Sequence, residues 1–168
     1  MSLSPNGNRA AIGDVKGKVT IVKWADNKFE KQHEHFLCAG TVNELLWSKD
    51  EKMIVAIGET QGCLQACNPE SGNRLGEILG VNGTMLCGVL TDKKTLFSAG
   101  EGNELLMHKG PMFKGQGVQI DHPHTGFINQ MRLSPDGSKF ATCSADKTIA
   151  VFESETGSLI KHYKACHA

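Results

Sequence analysis

The sequence predicts an all-β fold of the β-propeller type, with about four blades of four antiparallel strands each. Nineteen glycines and only five prolines in 168 residues indicate many tight turns between short elements. Short apolar runs alternate with polar turn clusters, and no stretch shows the periodicity of an amphipathic helix. The third observation is an internal repeat of about 43 residues, because four short strands in such a span are typical of one propeller blade.

The repeat is carried by a turn motif that recurs along the chain. Leu3-Ser-Pro-Asn-Gly-Asn-Arg-Ala-Ala near the N-terminus returns as Leu133-Ser-Pro-Asp-Gly-Ser-Lys-Phe-Ala, an offset of 130 residues. Two further copies lie between them: Trp47-Ser-Lys-Asp begins about one third of this offset after Leu3, and Leu90-Thr-Asp-Lys-Lys begins about two thirds of it after Leu3. The four copies therefore predict four structural units of one kind.

Repeats two and four predict their strands most plainly. In repeat two we expect strands at 42–47, 53–57, 63–67 and 74–79, separated by polar turns. In repeat four the corresponding strands are expected at 128–133, 140–144, 148–152 and 158–163. The run 53–57 is almost continuously apolar, which indicates a strand that is buried on both faces.

The predicted blades span residues 1–37, 38–80, 81–121 and 122–168 of one partial propeller. Met1 falls inside the first strand of repeat one, and residues 164–168 continue beyond the last strand of repeat four. A propeller requires a closed ring, since an open arc leaves strand edges and sheet faces uncovered. We therefore expect a propeller that is incomplete at both ends, a fragment of a larger one. Self-association through the open blade edges is the alternative way to close the ring.

Composition and charge argue against several classes of function. Lys plus Arg and Asp plus Glu both number 18, so the formal net charge is zero, which argues against nucleic acid or a membrane surface as partner. No apolar run approaches the length of a membrane span, and the N-terminus does not have the pattern of a secretory signal. The six cysteines are scattered in apolar segments, and we interpret them as reduced thiols of a cytoplasmic protein.

The remaining motifs do not predict catalysis, a cofactor or a metal. His33 and His35, like His122 and His124, form His-x-His pairs, but zinc sites usually combine tighter paired motifs. The serines occur in turn signatures, and no nucleophile lies in a recognisable arrangement with a base. We therefore expect a binding protein rather than an enzyme, with no metal and no cofactor.

Residues 134–153, Ser-Pro-Asp-Gly-Ser-Lys-Phe-Ala-Thr-Cys-Ser-Ala-Asp-Lys-Thr-Ile-Ala-Val-Phe-Glu, closely resemble the WD-repeat family. The Trp-Asp pair of that family stands here as Phe152-Glu153. The resemblance implies a structural tetrad, whose polar side chains hydrogen-bond to one another and lock neighbouring turns. Its members would be His124, Ser144, Asp146 and Phe152, and Phe152 has no indole N–H to complete the network.

Four segments extend the resemblance to the actin-interacting protein 1 family. In chain order they are Gly13-Asp-Val-Lys-Gly-Lys-Val-Thr-Ile, Ala39-Gly-Thr-Val-Asn-Glu-Leu-Leu-Trp, Gly110-Pro-Met-Phe-Lys and Phe127-Ile-Asn-Gln-Met-Arg-Leu-Ser-Pro-Asp-Gly. The chain looks like part of the first of the family's two seven-bladed propellers. The resemblance implies a non-enzymatic scaffold that binds actin filaments decorated with ADF/cofilin and promotes their disassembly. A generic WD-repeat scaffold of another multiprotein complex is the alternative.

The spacing of two acidic residues selects one face of the predicted propeller. Glu59 and Glu101 occupy turns between the second and third strands of adjacent repeats, 42 residues apart, so they recur on the same rim. The resemblance implies that acidic residues at these positions contribute to filament disassembly, together with Lys114 and the aromatic Phe127. A further aromatic position of the family falls on Gly115 here.

Overall fold

The computed structural model describes residues 1–59, 64–79, 83–109, 113 and 115–164. Seventeen β-strands in these ranges form four sheets, and almost every strand pairs with its neighbour in sequence. The predicted all-β architecture of propeller blades is confirmed. Within the same ranges, no helix has the length and the hydropathy that a membrane span requires.

We name the strands of each blade a, b, c and d in chain order. The first blade contains β1 (Ser2–Leu3), β2 (Arg9–Gly13), β3 (Lys18–Ala25) and β4 (Lys28–Phe36). The second blade contains β5 (Val42–Trp47), β6 (Ile54–Gly58), β7 (Leu64–Cys67) and β8 (Arg74–Leu79). All neighbouring strands within these two blades are antiparallel, as tight turns between consecutive strands require.

The third and fourth blades repeat this arrangement. The third contains β9 (Met85–Leu90), β10 (Leu96–Gly100), β11 (Leu105–His108) and β13 (Val118–Gln119). The fourth contains β14 (Ile128–Leu133), β15 (Lys139–Ser144), β16 (Ile149–Glu153) and β17 (Leu159–Tyr163). Strands a of the last three blades lie side by side, and the Glu44 carboxylate joins them by accepting hydrogen bonds from the Gly88 N–H and from Arg132, both at 2.7 Å.

One strand departs from the regular pattern. β12 (Gly115–Gln116) pairs in parallel with β8, at the outer edge of the second blade, with Gly115 opposite Ile78. The predicted boundaries had placed these two residues in the third blade. The segment 115–119 therefore links the outer edges of two neighbouring blades, because β13 follows β12 directly and pairs with β11 of the third blade.

Three apolar clusters hold the blades together, one at each boundary between consecutive blades. Ala11, Val19 and Ile21 of the first blade pack against Leu45, Trp47 and Ile54 of the second. The second and third blades share a cluster that includes Val55, Ile57 and Leu96. The third and fourth share one that includes Phe97, Phe140 and Phe152. Each blade is thus a layer whose stability depends on its neighbours.

The burial pattern of strand b shows which blades are covered on both faces. All five residues of β6 and all five of β10 are buried, because the second and third blades lie between two others. In β15 buried and less buried residues alternate, since only one face of the fourth blade is covered. The first and fourth blades do not close onto each other in the described part of the chain, so the four sheets form an open arc.

Ion pairs connect the turns at the rim opposite to the predicted binding rim. Asp50 and Lys94 of the second and third blades are 2.9 Å apart, and Lys93 and Glu155 of the third and fourth are 2.6 Å apart. Arg9 of the first blade reaches Glu51 of the second at 3.1 Å. These pairs repeat from blade to blade. The Asp50–Lys94 and Lys93–Glu155 pairs are solvent-accessible and contribute little individually, whereas the side chains of Arg9 and Glu51 are only 19% and 15% exposed.

The cysteines differ in redox state. Cys67, Cys87 and Cys143 are free thiols, as the sequence predicted for all six. Cys38 is disulfide-bonded, so the prediction of a reduced thiol is wrong for this residue. Cys63 and Cys166 lie outside the described residues.

Candidate functional site

Backbone hydrogen bonds place the predicted binding residues on one rim of the arc. The residue after strand b donates its N–H to the carbonyl before strand a in three successive blades. Glu59 donates to Thr41 at 3.1 Å, Glu101 to Thr84 at 3.1 Å, and Ala145 to Phe127 at 3.0 Å. Glu59 and Glu101 therefore occupy equivalent turns of adjacent blades. Phe127 lies just before strand a of the next blade, the position that Thr41 and Thr84 occupy in theirs.

The side chains at this rim are accessible to a partner. Glu59 and Glu101 are exposed, and neither carboxylate forms an ion pair or hydrogen bond with any residue that the structure describes. Phe127 exposes 44% of its surface although the next residue, Ile128, is fully buried. Lys114 lies outside the described residues. The rim thus presents uncompensated negative charge on two blades and an aromatic ring on a third.

A buried network of hydrogen-bonded polar side chains lies in the same blade as Phe127. The Nδ1 atom of His124 lies 2.9 Å from the Thr148 hydroxyl and 3.3 Å from the Asp146 carboxylate. Its Nε2 atom lies 2.7 Å from the Thr142 hydroxyl. The imidazole is fully buried, so both ring nitrogens find their partners inside the protein.

The chain of donors and acceptors determines which nitrogen of His124 carries the proton. Thr148 donates its hydroxyl proton to Asp146 at 2.7 Å, so it can only accept from the imidazole. The proton therefore lies on Nδ1. Nε2 accepts a hydrogen bond from the Thr142 hydroxyl at 2.7 Å, the shorter of the two contacts open to that proton, since the Ala150 carbonyl lies 3.3 Å from the same oxygen. Burial lowers the pKa of His124, although the Asp146 carboxylate opposes the shift, and the imidazole is neutral at pH 7.

Asp146 fixes the loop that leads to Phe127. Its carboxylate accepts from the backbone N–H of Thr125 at 2.9 Å and from the N–H of Thr148 at 2.9 Å. Although partial burial opposes it, these hydrogen bonds and the one from the Thr148 hydroxyl hold the pKa of Asp146 well below its usual range. The carboxylate is therefore ionised and turned inward, unlike the exposed Glu59 and Glu101.

The predicted tetrad is changed at one position. Ser144 does not bind His124; its hydroxyl donates to the carbonyl of Gly126 at 2.9 Å and accepts from the N–H of Asp146 at 3.1 Å. Thr142 takes the predicted role because it lies two residues earlier on the same face of β15 and deeper in the blade. Phe152 is fully buried and stacks on Phe140, with ring centroids 5.1 Å apart.

The same network reaches the Glu101 turn of the neighbouring blade. Asn103 donates its side-chain amide to the carbonyl of His124 at 3.2 Å, and its own carbonyl lies 3.0 Å from Nε2 of His122. Asn103 has a positive φ of 57°, which asparagine tolerates better than most residues. The turn that carries Glu101 and the loop that carries Phe127 are thus joined into one hydrogen-bonded unit.

A second buried polar pair was not predicted from the sequence. The Ser98 hydroxyl lies 3.0 Å from Nε2 of His108 inside the boundary between the second and third blades. Burial lowers the pKa of His108 to about 4. The signal in the sequence was a histidine that ends an apolar strand, which by itself does not distinguish a buried position from an exposed one.

The His-x-His pairs make structural contacts. His33 and His35 stack with their ring centroids 5.9 Å apart, and they bind Glu70 and the carbonyl of Pro69, respectively. Across the described ranges, no group of three or more His, Cys, Asp or Glu side chains is arranged to hold a metal ion.

The four sheets and this network define a class of protein. The family model of the WD domain, G-beta repeat, matches residues 115–153, which include the network and the Phe152-Glu153 pair. The four sheets thus have the blade architecture of a WD-repeat β-propeller, and within the described residues they do not close into a ring.

Sequence comparison gives more particular relatives. The chain is 34% identical over 159 residues to WD repeat-containing protein 1 of Gallus gallus and covers 26% of that protein. It is 35% identical over 158 residues to Actin-interacting protein 1-2 of Arabidopsis thaliana, of which it covers 25%. Each alignment includes more than nine-tenths of this chain. The predicted resemblance to the actin-interacting protein 1 family is confirmed, and the chain spans about a quarter of the length of these curated relatives.

Solved structures support the fold. The chain matches the crystal structure of Sqt1 from Chaetomium thermophilum with a TM-score of 0.81 at 20% sequence identity. The match covers 98% of this chain and 45% of the Sqt1 chain. At this level of identity the comparison concerns the fold alone, and it agrees with the blade architecture described above.

Proposed function

We propose that this chain is part of an actin-regulatory scaffold, which binds actin filaments together with ADF/cofilin and promotes filament disassembly without a chemical step. The observation that carries the proposal is similarity along almost the whole chain to a protein whose name states an interaction with actin. The chain would accordingly act in the cytoplasm, at the actin cytoskeleton.

The rim with Glu59, Glu101 and Phe127 is the proposed contact surface. Two uncompensated carboxylates on adjacent blades favour a partner that presents basic groups at a similar separation. An exposed aromatic ring near them supplies the apolar contact that usually dominates binding energy at an interface. Lys114 belongs to the same proposal through its place in the Gly-Pro-Met-Phe-Lys segment.

The network behind the rim supports binding by keeping the contact residues in place before the partner arrives. Phe127 follows a loop that Asp146 and Ser144 hold by hydrogen bonds to its backbone. Asn103 connects this loop to the Glu101 turn. A rigid surface loses less conformational entropy on binding, so more of the contact energy appears as affinity.

Filament disassembly follows from binding if the rim prefers one filament state. A scaffold that binds severed or cofilin-decorated filaments more tightly than bare ones shifts the population toward those states. Neutral net charge leaves no general attraction to nucleic acid or to a membrane surface, so we propose neither as a partner.

The test is a double variant that removes the two rim charges. In a filament-severing assay with cofilin, E59Q together with E101Q should lower the activity about three- to tenfold, because exposed charge pairs contribute up to about 1 kcal/mol each. The control is D26N together with E30Q, which removes two exposed acidic charges from the turn and strand d of the first blade. The control should retain full activity.

Unchanged disassembly by a well-folded E59Q/E101Q variant would contradict this assignment of the rim. Absence of any effect of the wild-type chain on cofilin-decorated filaments would instead favour the alternative, a WD-repeat scaffold that belongs to another multiprotein complex.

A further inference from the structure

The turn between strands b and c presents one residue at the same place of the rim in each blade. From the first blade to the fourth, these residues are Val15, Glu59, Glu101 and Ala145. The residue two positions later has a positive φ in the first, third and fourth blades, with values of 82° at Gly17, 57° at Asn103 and 68° at Lys147. Val15 is therefore the counterpart of Glu59 and Glu101 in the first blade.

Val15 exposes 72% of its surface to solvent. This exposure is a property of the turn position, because Glu59 and Glu101 are exposed as well, in blades that are covered on both faces. Polar residues usually occupy such turns, so an exposed valine calls for a contact outside the blade.

The turn that carries Val15 does not depend on the valine side chain for its shape. The Asp14 carboxylate accepts hydrogen bonds from the backbone N–H of Lys16 at 2.8 Å and from that of Lys18 at 3.0 Å. A carboxylate that binds two backbone N–H groups fixes a turn by itself. The side chain of Val15 is thus free to serve a partner.

The start of strand a in the second blade ties this turn to the Glu59 turn. The N–H of Val42 donates to the carbonyl of Asp14 at 3.1 Å, and the carbonyl of the preceding Thr41 accepts from the N–H of Glu59 at 3.1 Å. The Val15 turn and the Glu59 turn are therefore held in one arrangement, as Asn103 holds the Glu101 turn against the loop of the fourth blade.

We propose that Val15 is a further contact residue of this rim, and that the partner surface carries basic groups at its centre and an apolar patch at each end. The inference rests on the proposed function, since the partner is the decorated filament that meets Glu59 and Glu101. These two carboxylates lie between Val15 on the first blade and Phe127 on the fourth. A partner that complements this order covers Val15 with an apolar side chain, so both lose their contact with water on binding.

Co-sedimentation with cofilin-decorated actin filaments tests the contribution of Val15. V15S should raise the dissociation constant about three- to tenfold, because the apolar contact with the partner is lost. The matched control is V118S: Val118 is 58% exposed but lies on β13, at the outer edge of the third blade. V118S should bind like the wild type, and circular dichroism checks that both variants are folded.

A photoreactive benzoylphenylalanine at position 15 reports contact directly, which a merely structural role would not produce. It should crosslink to actin or to cofilin on decorated filaments, whereas the same group at position 118 should not.

The E59Q/E101Q variant, measured beside V15S, separates this inference from the proposed function. If E59Q/E101Q weakens binding while V15S binds like the wild type and position 15 gives no crosslink, the inference is wrong and the proposed function stands. A folded wild-type chain that does not bind decorated filaments would overturn both.

Discussion

At the scale of residues, the His124 network makes a prediction that separates two neighbouring hydroxyl groups. T142V keeps the shape of the side chain but leaves the Nε2 atom of His124 buried without a donor. We expect it to lower the free energy of unfolding by about 1–3 kcal/mol. S144A removes only a bond to a backbone carbonyl and one from a backbone N–H, and should cost about 0.5–1.5 kcal/mol.

Urea unfolding measures both losses of stability. The imidazole NMR signals of His124 in the folded protein provide a second readout, because a general loss of stability leaves their chemical shifts unchanged. These signals should shift in T142V and remain nearly unchanged in S144A. The opposite order, with the His124 signals displaced by S144A alone, would mean that Ser144 is the partner, as the sequence first predicted.

His108 predicts a dependence of stability on pH. Its pKa is about 4 in the folded protein and near the ordinary 6.5 when unfolded, so the unfolded chain binds the additional proton between these values. Stability should therefore fall as the pH is lowered from 7 towards 4, by roughly 3 kcal/mol in total from this residue. In urea titrations at pH 7 and pH 5, H108Q should reduce the difference in the free energy of unfolding between the two pH values. Equal slopes for wild type and H108Q would contradict a buried neutral His108.

At the residue scale, the hydroxyl partner of His124 could not be predicted from the sequence. The resemblance identified His124 and Asp146 because the motif fixes their spacing. It did not separate Thr142 from Ser144, since both are hydroxyl residues on one face of the same strand. Only their depth in the blade, which depends on the packing of strands around β15, decides which of them meets the imidazole.

At the scale of elements, two glycines in left-handed turns allow a matched comparison. Gly7 has a φ of 74° and Gly17 a φ of 82°. A Cβ on Gly7 would meet nothing, whereas a Cβ on Gly17 would overlap the carbonyl oxygen of Cys38, where the chain enters the second blade. G7A should cost about 1 kcal/mol for the backbone conformation alone, and G17A at least about 3 kcal/mol because that segment must shift.

Thermal unfolding of G7A and G17A checks this comparison in one experiment. Similar melting temperatures for the two variants would mean that the contact between the Gly17 turn and the carbonyl of Cys38 tolerates displacement.

The elements themselves were largely predictable because propeller strands are short and their turns are chemically distinct. The predicted strand at 53–57 and the observed β6 differ by one residue at each end, and the continuous apolar run reflects coverage on both faces. β12 was not predictable, because a two-residue strand depends on the neighbouring β8 for its hydrogen bonds rather than on its own side chains.

At the scale of the whole molecule, the repeat determines both the fold and the chemistry of the open faces. The alternation of exposed and buried residues in β15, against complete burial in β6, distinguishes a blade that is covered on one face in this structure from a blade that is covered on both. This difference is already visible in the sequence, as the polar residues of 139–144 compared with the apolar run of 53–57. Partner identity is not visible in the same way, since the spacing of Glu59 and Glu101 selects a rim but not the protein that binds to it, and it rests on the resemblance to known proteins.

The central functional claim is that this rim binds actin filaments in the presence of cofilin. Co-sedimentation with filamentous actin, with and without cofilin, tests it most directly. We predict that the folded chain pellets with cofilin-decorated filaments and much less with bare filaments, and that E59Q/E101Q weakens the pelleting while D26N/E30Q does not. A folded wild-type chain that remains in the supernatant with decorated filaments would contradict the claim.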